Sequence, residues 1–206
     1  MKSIAIIALV LVATVLPGVC SVEAPHELAG FVLDRPISEF EDRVIMETAL
    51  PVRYFESFYE VEIKPLKGYK SGLIGYGTCA KPGNIVRIKL KYEDSSKEFF
   101  DNLLAEFKKR FGEPDEYQGD PFKILISWKW SFVDKQNNRI SLILQHNQFD
   151  EDEKMGNAVK LTMTSLAEAD MRCFQEKHSG QEEHLRQRRL ERRDLGLSGW
   201  DLYVPR

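Results

Sequence analysis

Cys79 and His146 are the residues whose chemistry could support covalent catalysis. Cys79 lies in a glycine-containing segment, residues 77–81, that would leave a side chain accessible. A cysteine acts as a nucleophile when a base such as histidine removes its proton. This hypothesis makes the chain a hydrolase with Cys79 and His146 in those roles. The alternative is structural, because an exported cysteine is usually paired in a disulfide and His146 continues the inward alternation of a predicted strand.

Four consecutive carboxylates, Asp150 to Glu153, could bind calcium, because hard cations prefer clustered oxygen ligands. Their spacing does not match an EF-hand, since Met155 and Leu161 occupy the positions of the required glycine and glutamate. A solvated loop is therefore favoured. The histidines and cysteines lack zinc-site spacing, and the glycines at 72, 75 and 77 match no nucleotide-binding loop. We expect neither a metal nor another cofactor.

A group of cations shares the outward side of the predicted strands. If the alternating apolar residues face the core, the residues between them face outward. This group, named here the cationic face, comprises Arg87, Lys89, Lys91, Lys123, Lys129, Arg139 and Lys160. Such a face would attract an acidic protein or an anionic envelope surface. The alternative is an ordinary solvated face that Glu60 and Glu62 partly neutralise from a neighbouring strand.

The first twenty residues have the layout of an export signal. Lys2 precedes an apolar run from Ile4 to Leu16, which is shorter than the roughly 20 residues that span a bilayer. We predict a signal peptide over residues 1–20, cleavage after Cys20 or Ser21, and a periplasmic or secreted protein without a transmembrane segment. Cys20 also resembles the acylated cysteine of bacterial lipoproteins, although the preceding Val19 departs from that pattern. Lipid anchoring at Cys20 therefore stays an alternative.

Removal of residues 1–20 takes away Lys2, so the formal net charge changes from −3 to −4. This mild acidity argues against a nucleic-acid-binding protein. Two cysteines, Cys79 and Cys173, remain after the cut, and two unpaired thiols are a liability in an oxidising compartment. We therefore predict a disulfide between Cys79 and Cys173.

One helix and one strand are predicted to form the centre of the core. The helix, Ser95 to Phe111, has a capping box at Ser95 and Glu98 and a stop at Gly112. Its apolar stripe consists of Phe100, Leu103, Leu104, Phe107 and Phe111. The strand, Phe122 to Phe132, alternates apolar and polar residues. We expect its tryptophans to pack beneath the helix.

The remaining patterns predict an α+β fold with an antiparallel sheet and helices on one face. A short helix is expected over Pro36 to Val44, and Met46 to Tyr54 is ambiguous because Pro51 interrupts it. The other predicted strands lie around Tyr59–Ile63, Leu73–Thr78, Val86–Tyr92, Ile140–Leu144 and Val159–Met163. The resulting order, helix and three strands twice, is also what an internal duplication would give. We place a single domain over residues 21–166 and a charged helical or disordered tail over residues 167–206.

This order of elements, over Phe31 to Leu166, resembles small exported bacterial modules of the β-lactamase-inhibitor-protein and outer-membrane-assembly-lipoprotein type. The resemblance concerns the pattern alone and transfers no site residue. It implies a module that binds other proteins and catalyses nothing. The favoured hypothesis is an exported binding module that uses the cationic face. A hydrolase using Cys79 and His146, or a carrier that holds an apolar ligand between helix and sheet, are the alternatives.

Overall fold

The computed structural model describes residues 23–52, 55–147 and 156–193, which form two α-helices and two antiparallel sheets. A two-stranded sheet, β1 (Glu27–Leu28) with β2 (Phe31–Val32), precedes a 3-10 helix, Ile37–Phe40. The large sheet contains β3 (Val44–Val52), β4 (Phe55–Ile63), β5 (Tyr69–Gly77), β6 (Ile85–Tyr92), β7 (Glu116–Tyr117), β8 (Leu125–Val133), β9 (Arg139–Asn147) and β10 (Asn157–Met163). The α-helices are α1 (Lys97–Phe111) and α2 (Thr164–Arg193).

The large sheet has the order β3-β4-β5-β6-β10-β9-β8-β7 and is antiparallel at every pairing. Strands β3 to β6 form a meander, and the pairing of β6 with β10 joins this meander to the strands that follow α1. This arrangement confirms the predicted α+β class. Before α1 the large sheet contains four strands, one more than predicted, because β3 runs through Pro51. β3 lies at the end of the sheet order, where proline is tolerated.

α1 packs on the apolar side of the sheet as predicted. Its N-cap is Ser96 rather than Ser95, and the Ser96 hydroxyl accepts a 3.2 Å hydrogen bond from the Phe99 N–H. Phe100 is 1% exposed, and its ring centroid lies 5.3 Å from that of His146. The Phe107 ring lies 5.7 Å from Trp130. The predicted helix-on-sheet core is therefore confirmed.

The strand predicted from Phe122 begins instead at Leu125. Asp120 causes the difference, because its side chain accepts a 2.8 Å hydrogen bond from the Phe122 N–H and its carbonyl accepts one from the Lys123 N–H at 3.1 Å. The segment therefore turns before β8, with Lys123 at φ 58°. Phe122 is 84% exposed, so its predicted place in the core was wrong. The predicted place of Lys123 on a strand was also wrong.

α2 begins directly after β10 and contacts the side of the sheet opposite α1. Glu168 pairs with Arg139, and Asp170 lies against Gly77, where an added β-carbon would be 2.8 Å from the Asp170 Oδ1 atom. Both Arg139 and Gly77 have the outward orientation of the cationic face. The segment predicted as a tail from residue 167 therefore starts within a docked helix.

Several predicted features lie outside the described residues: the signal over 1–20 with Cys20, the acidic run 150–153, and residues 194–206. Within the described ranges, no helix has both the length and the hydropathy of a membrane span.

Candidate binding face

The register of the large sheet arranges the cationic face in rows that cross the strands. In the middle row the successive partners are Lys129, Ile143, Lys160, Lys89, Leu73 and Glu62. The row on one side contains Ser131, Ser141, Thr162, Arg87, Gly75 and Glu60. The row on the other side contains Ser127, Gln145, Ala158, Lys91 and Ser71. Because neighbouring strands are about 4.8 Å apart, Lys160 and Lys89 lie directly side by side.

Three cations of the face have carboxylate partners from neighbouring elements. The Lys129 Nζ atom lies 3.0 Å from Glu116 of β7, at the end of the strand order. Arg139 pairs with Glu168 of α2. The contact between Arg87 and Glu60 is longer, at 3.7 Å. The predicted neutralisation by Glu60 is thus present but weak, and the stronger pairs come from β7 and α2.

Lys160 is the centre of the uncompensated charge. Its side chain is half-buried, and this burial lowers the pKa of its ammonium group, as do the positive charges of Arg87, Lys89 and Lys129. Neither Lys160 nor Lys89 forms an ion pair with any carboxylate of the described chain. Positive charge is therefore concentrated where β6 and β10 meet.

Small polar side chains lie between these cations. Ser127, Ser141 and Thr162 are 5%, 8% and 6% exposed, respectively. Among the residues that the structure describes, the Thr162 hydroxyl and the Arg87 Nε atom have no hydrogen-bond partner. Both atoms are buried, so they add to the cost of this arrangement in the folded protein but are not accessible to a group at the surface.

The two residues of the hydrolase hypothesis have other roles in this structure. Cys79 is bonded to Cys173, with 5.7 Å between their Cα atoms, so the predicted disulfide is present and Cys79 is not a free thiol. His146 is 3% exposed, and its Nδ1 atom shares a 2.7 Å hydrogen bond with the Asn157 side chain. Asn157 in turn donates to the carbonyls of Asp94 and Ser96. This buried network holds the start of α1 against the sheet.

A groove lies on the other side of the sheet, between α1 and the N-terminal segment, residues 23–28. Its volume is about 1040 Å³. Leu142 and Leu161 of the sheet form part of the lining, together with Leu103 and Phe107 of α1. Charged residues of both signs also line it, including Glu23, Glu27, Glu106, Lys109 and Arg110. The groove is the open helix–sheet interface that the carrier hypothesis requires.

Metal ligands are not clustered in the described part of the chain, where no group of three or more His, Cys, Asp or Glu residues could hold an ion. No sequence pattern indicated one important carboxylate, Asp170. It is fully buried, and it was missed because a lone acidic residue in a charged helix looks like a solvated one.

Comparison of the chain with protein-family models, with curated proteins and with solved structures found no match in any of the three.

Proposed function

We propose that this chain is an exported, non-enzymatic module that binds an acidic partner through the cationic face. The observation that carries the proposal is the half-buried Lys160 beside Arg87, Lys89 and Lys129. Burial and like charges both disfavour an ammonium ion, so this arrangement opposes folding. A partner that supplies carboxylates would relieve the repulsion and gain charge-assisted hydrogen bonds.

The form of the face also favours a macromolecular partner over a small substrate. The cations extend over β8, β10 and β6, a width of several strands at about 4.8 Å each. Complementary charge over such a surface increases the association rate and selects against basic partners. The proposal therefore specifies an acidic protein, with an anionic envelope surface as the alternative outcome of the test.

Export is supported by two independent features. The segment from Lys2 to Leu16 has the charge and apolar length of a signal. The bond between Cys79 and Cys173 is of a kind that persists mainly in oxidising compartments. Both are consistent with a periplasmic or secreted protein, with lipid anchoring at Cys20 as a variant of that location.

The test is capture of partners from an envelope extract with the full-length mature protein. A Lys89→Ala, Lys160→Met double variant should lose the partner, because it removes two adjacent cations that form no ion pair with a described carboxylate. The matched control is Lys109→Ala with Lys135→Ala, which removes the same charge from α1 and from the turn after β8. The control should retain the partner, and high salt should release it from the wild-type protein.

Equal capture by the two double variants would contradict the proposal. Partner binding that high salt does not weaken would also contradict the proposal. The wild-type protein can instead be mixed with anionic vesicles and sedimented. If the protein sediments with the vesicles, and the Lys89 and Lys160 changes weaken this binding whereas the control changes do not, the partner is the envelope surface.

A second candidate function is favoured by the groove between α1 and residues 23–28. Its volume of about 1040 Å³ is at the upper end of the range of small-molecule sites, roughly 300–1,000 Å³. A carrier would hold an apolar chain against Leu142 and Leu161. A fluorescent fatty acid should then bind the wild-type protein and fail to bind Leu103→Arg. Leu50→Arg, at a leucine that is 68% exposed on β3, is the matched control and should bind normally.

A further inference from the structure

A separate pocket lies where β5 begins, β6 ends and α1 starts. Its volume is about 500 Å³. The lining consists of Gly68, Tyr69, Tyr92, Glu93, Asp94 and Phe99. Three aromatic rings and two carboxylates thus surround one cavity, and no basic residue of the described chain lines it. The pocket takes no part in the proposed partner binding by the cationic face.

The three rings are held in contact by the fold. Tyr69 and Tyr92 are cross-strand partners, with ring centroids 5.2 Å apart and planes 27° apart. Phe99, in the first turn of α1, meets Tyr92 at 5.4 Å and 62°. Ring faces carry negative electrostatic potential, so cations bind against them. Burial raises the pKa of both tyrosines, so their rings stay neutral phenols.

The two carboxylates add net negative charge to this aromatic lining. The Asp94 Oδ1 atom accepts a 2.8 Å hydrogen bond from the Ser96 N–H. Hydrogen bonds from Ser96 hold the pKa of Asp94 below its usual range, so Asp94 remains ionised. Among the described residues, neither Glu93 nor Asp94 has a cationic partner. Their charges are therefore available to a ligand.

Gly68 keeps one side of the pocket open. Its φ is 84°, a conformation that favours glycine, and no atom lies within 4 Å of the place where a β-carbon would be. Its carbonyl accepts a 3.0 Å hydrogen bond from the Glu93 N–H. The turn and the acidic residue are thus fixed together while the space above the turn remains free.

We infer that this pocket binds an organic cation that carries a quaternary or methylated ammonium group. The neighbouring rings favour a large, weakly hydrated cation, and the carboxylates supply the opposite charge. A hard metal ion is a poor fit, because such ions require six or more oxygen ligands and most of this lining is aromatic. The ligand class follows from this combination of rings and unpaired carboxylates.

The test compares choline with 3,3-dimethylbutan-1-ol, a neutral molecule of nearly the same shape. Choline should shift the NMR signals of Tyr69, Tyr92 and Phe99 in the full-length mature protein. The neutral molecule should bind at least about fivefold more weakly, since it lacks the cation. Equal affinities, or no shift with choline at millimolar concentrations, would overturn the inference.

Variants separate the contribution of the ring from that of apolar volume. Tyr69→Phe keeps the ring and should keep choline binding, whereas Tyr69→Leu should lose it. Glu93→Gln, at an exposed position, should weaken binding about fivefold, and Glu41→Gln, at an exposed position outside the pocket, should not. Normal binding by both Tyr69→Leu and Glu93→Gln would contradict the site.

A second probe identifies the source of the ammonium group. If the protein sediments with phosphatidylcholine vesicles and Glu93→Gln reduces the amount that does so, the ammonium group belongs to a lipid. Binding of free choline without vesicle binding would place it on a soluble molecule. Either result supports the pocket as an organic-cation site.

Discussion

Asp170 accepts a 2.8 Å hydrogen bond from the backbone N–H of Cys79, the residue whose sulfur is bonded to α2 at Cys173. The same carboxylate accepts hydrogen bonds from the N–H groups of Thr78 and Ala80, at 3.0 and 2.7 Å. The loop after β5 is therefore attached to α2 by a covalent bond and by three charge-assisted hydrogen bonds. The two attachments are chemically independent, so each can be removed while the other remains.

Replacement of Asp170 by asparagine should destabilise the protein by about 2–4 kcal/mol. The change removes the charge and replaces the oxygen that accepts from Thr78 with an NH₂ group, so the Thr78 N–H keeps only its 3.2 Å hydrogen bond to the Ser57 carbonyl. Losses of this kind cost about 1–3 kcal/mol each. Unfolding by urea measures the difference. Glu168→Gln is the control, because its pair with Arg139 is partly exposed and should contribute less than about 1 kcal/mol. Equal effects of the two variants would contradict the role assigned to Asp170.

Reduction of the Cys79–Cys173 bond should lower the free energy of unfolding by about 2–4.5 kcal/mol. The bond joins residues 94 positions apart, and a loop of that length restricts the unfolded chain strongly. Unfolding of the oxidised protein and of a Cys79→Ser, Cys173→Ser variant gives the difference. Two free thiols in protein purified from the envelope would show that the bond does not form there.

Truncation of Phe100 to alanine should cost about 3–5 kcal/mol, as truncation of a buried aromatic residue does. Phe107 is only partly buried, so Phe107→Ala should cost less than Phe100→Ala. Lys129→Ala, on the opposite side of the sheet, should change stability by less than about 1 kcal/mol. Denaturation midpoints provide the comparison, and a larger effect at Phe107 than at Phe100 would contradict the packing of α1.

Replacement of Lys160 by methionine should raise stability at neutral pH by about 1 kcal/mol. Burial and the charges of Arg87, Lys89 and Lys129 lower the pKa of Lys160 in the folded protein. The unfolded state therefore binds this proton more tightly, so protonation of Lys160 destabilises the fold. That cost decreases as the pH rises through the folded pKa towards the ordinary lysine value.

The advantage of Lys160→Met should accordingly be smaller at about pH 10 than at about pH 7. Comparison of the two proteins at each pH isolates this lysine from the other titrating groups. An advantage that does not change with pH would show that the methionine acts by packing alone.

Alternation of apolar residues was sufficient to predict the centre of the fold, although the N-cap of α1 is Ser96 rather than the predicted Ser95. Strands β6, β9 and β10 have the predicted inward residues, and α1 covers Trp130 as expected. These elements are long and periodic, so local sequence determines which side of each is buried. The disulfide was predicted by a different argument, from compartment and cysteine number, and needed no knowledge of the fold.

Features that depend on contacts between distant segments could not be predicted in this way. The docking of α2 includes three hydrogen bonds to one buried carboxylate, Asp170, that has no periodic signal. The turn before β8 depends on hydrogen bonds to Asp120, whereas the alternation continued through Phe122 and Lys123. The organic-cation pocket requires Tyr69 and Tyr92 to be cross-strand partners, and pairing register is not encoded in either strand alone.

The place of β10 in the strand order determines how the sheet can be completed. β10 pairs with β6 on the side opposite β5, yet among the described strands it comes last in the chain. Until residues 157–163 are available, strands β3 to β6 form a meander, and the free edge of β6 exposes unpaired backbone groups. A neighbouring copy could supply its own β10 to that edge. Exchange of this strand between chains is therefore a misassembly that the topology permits during folding.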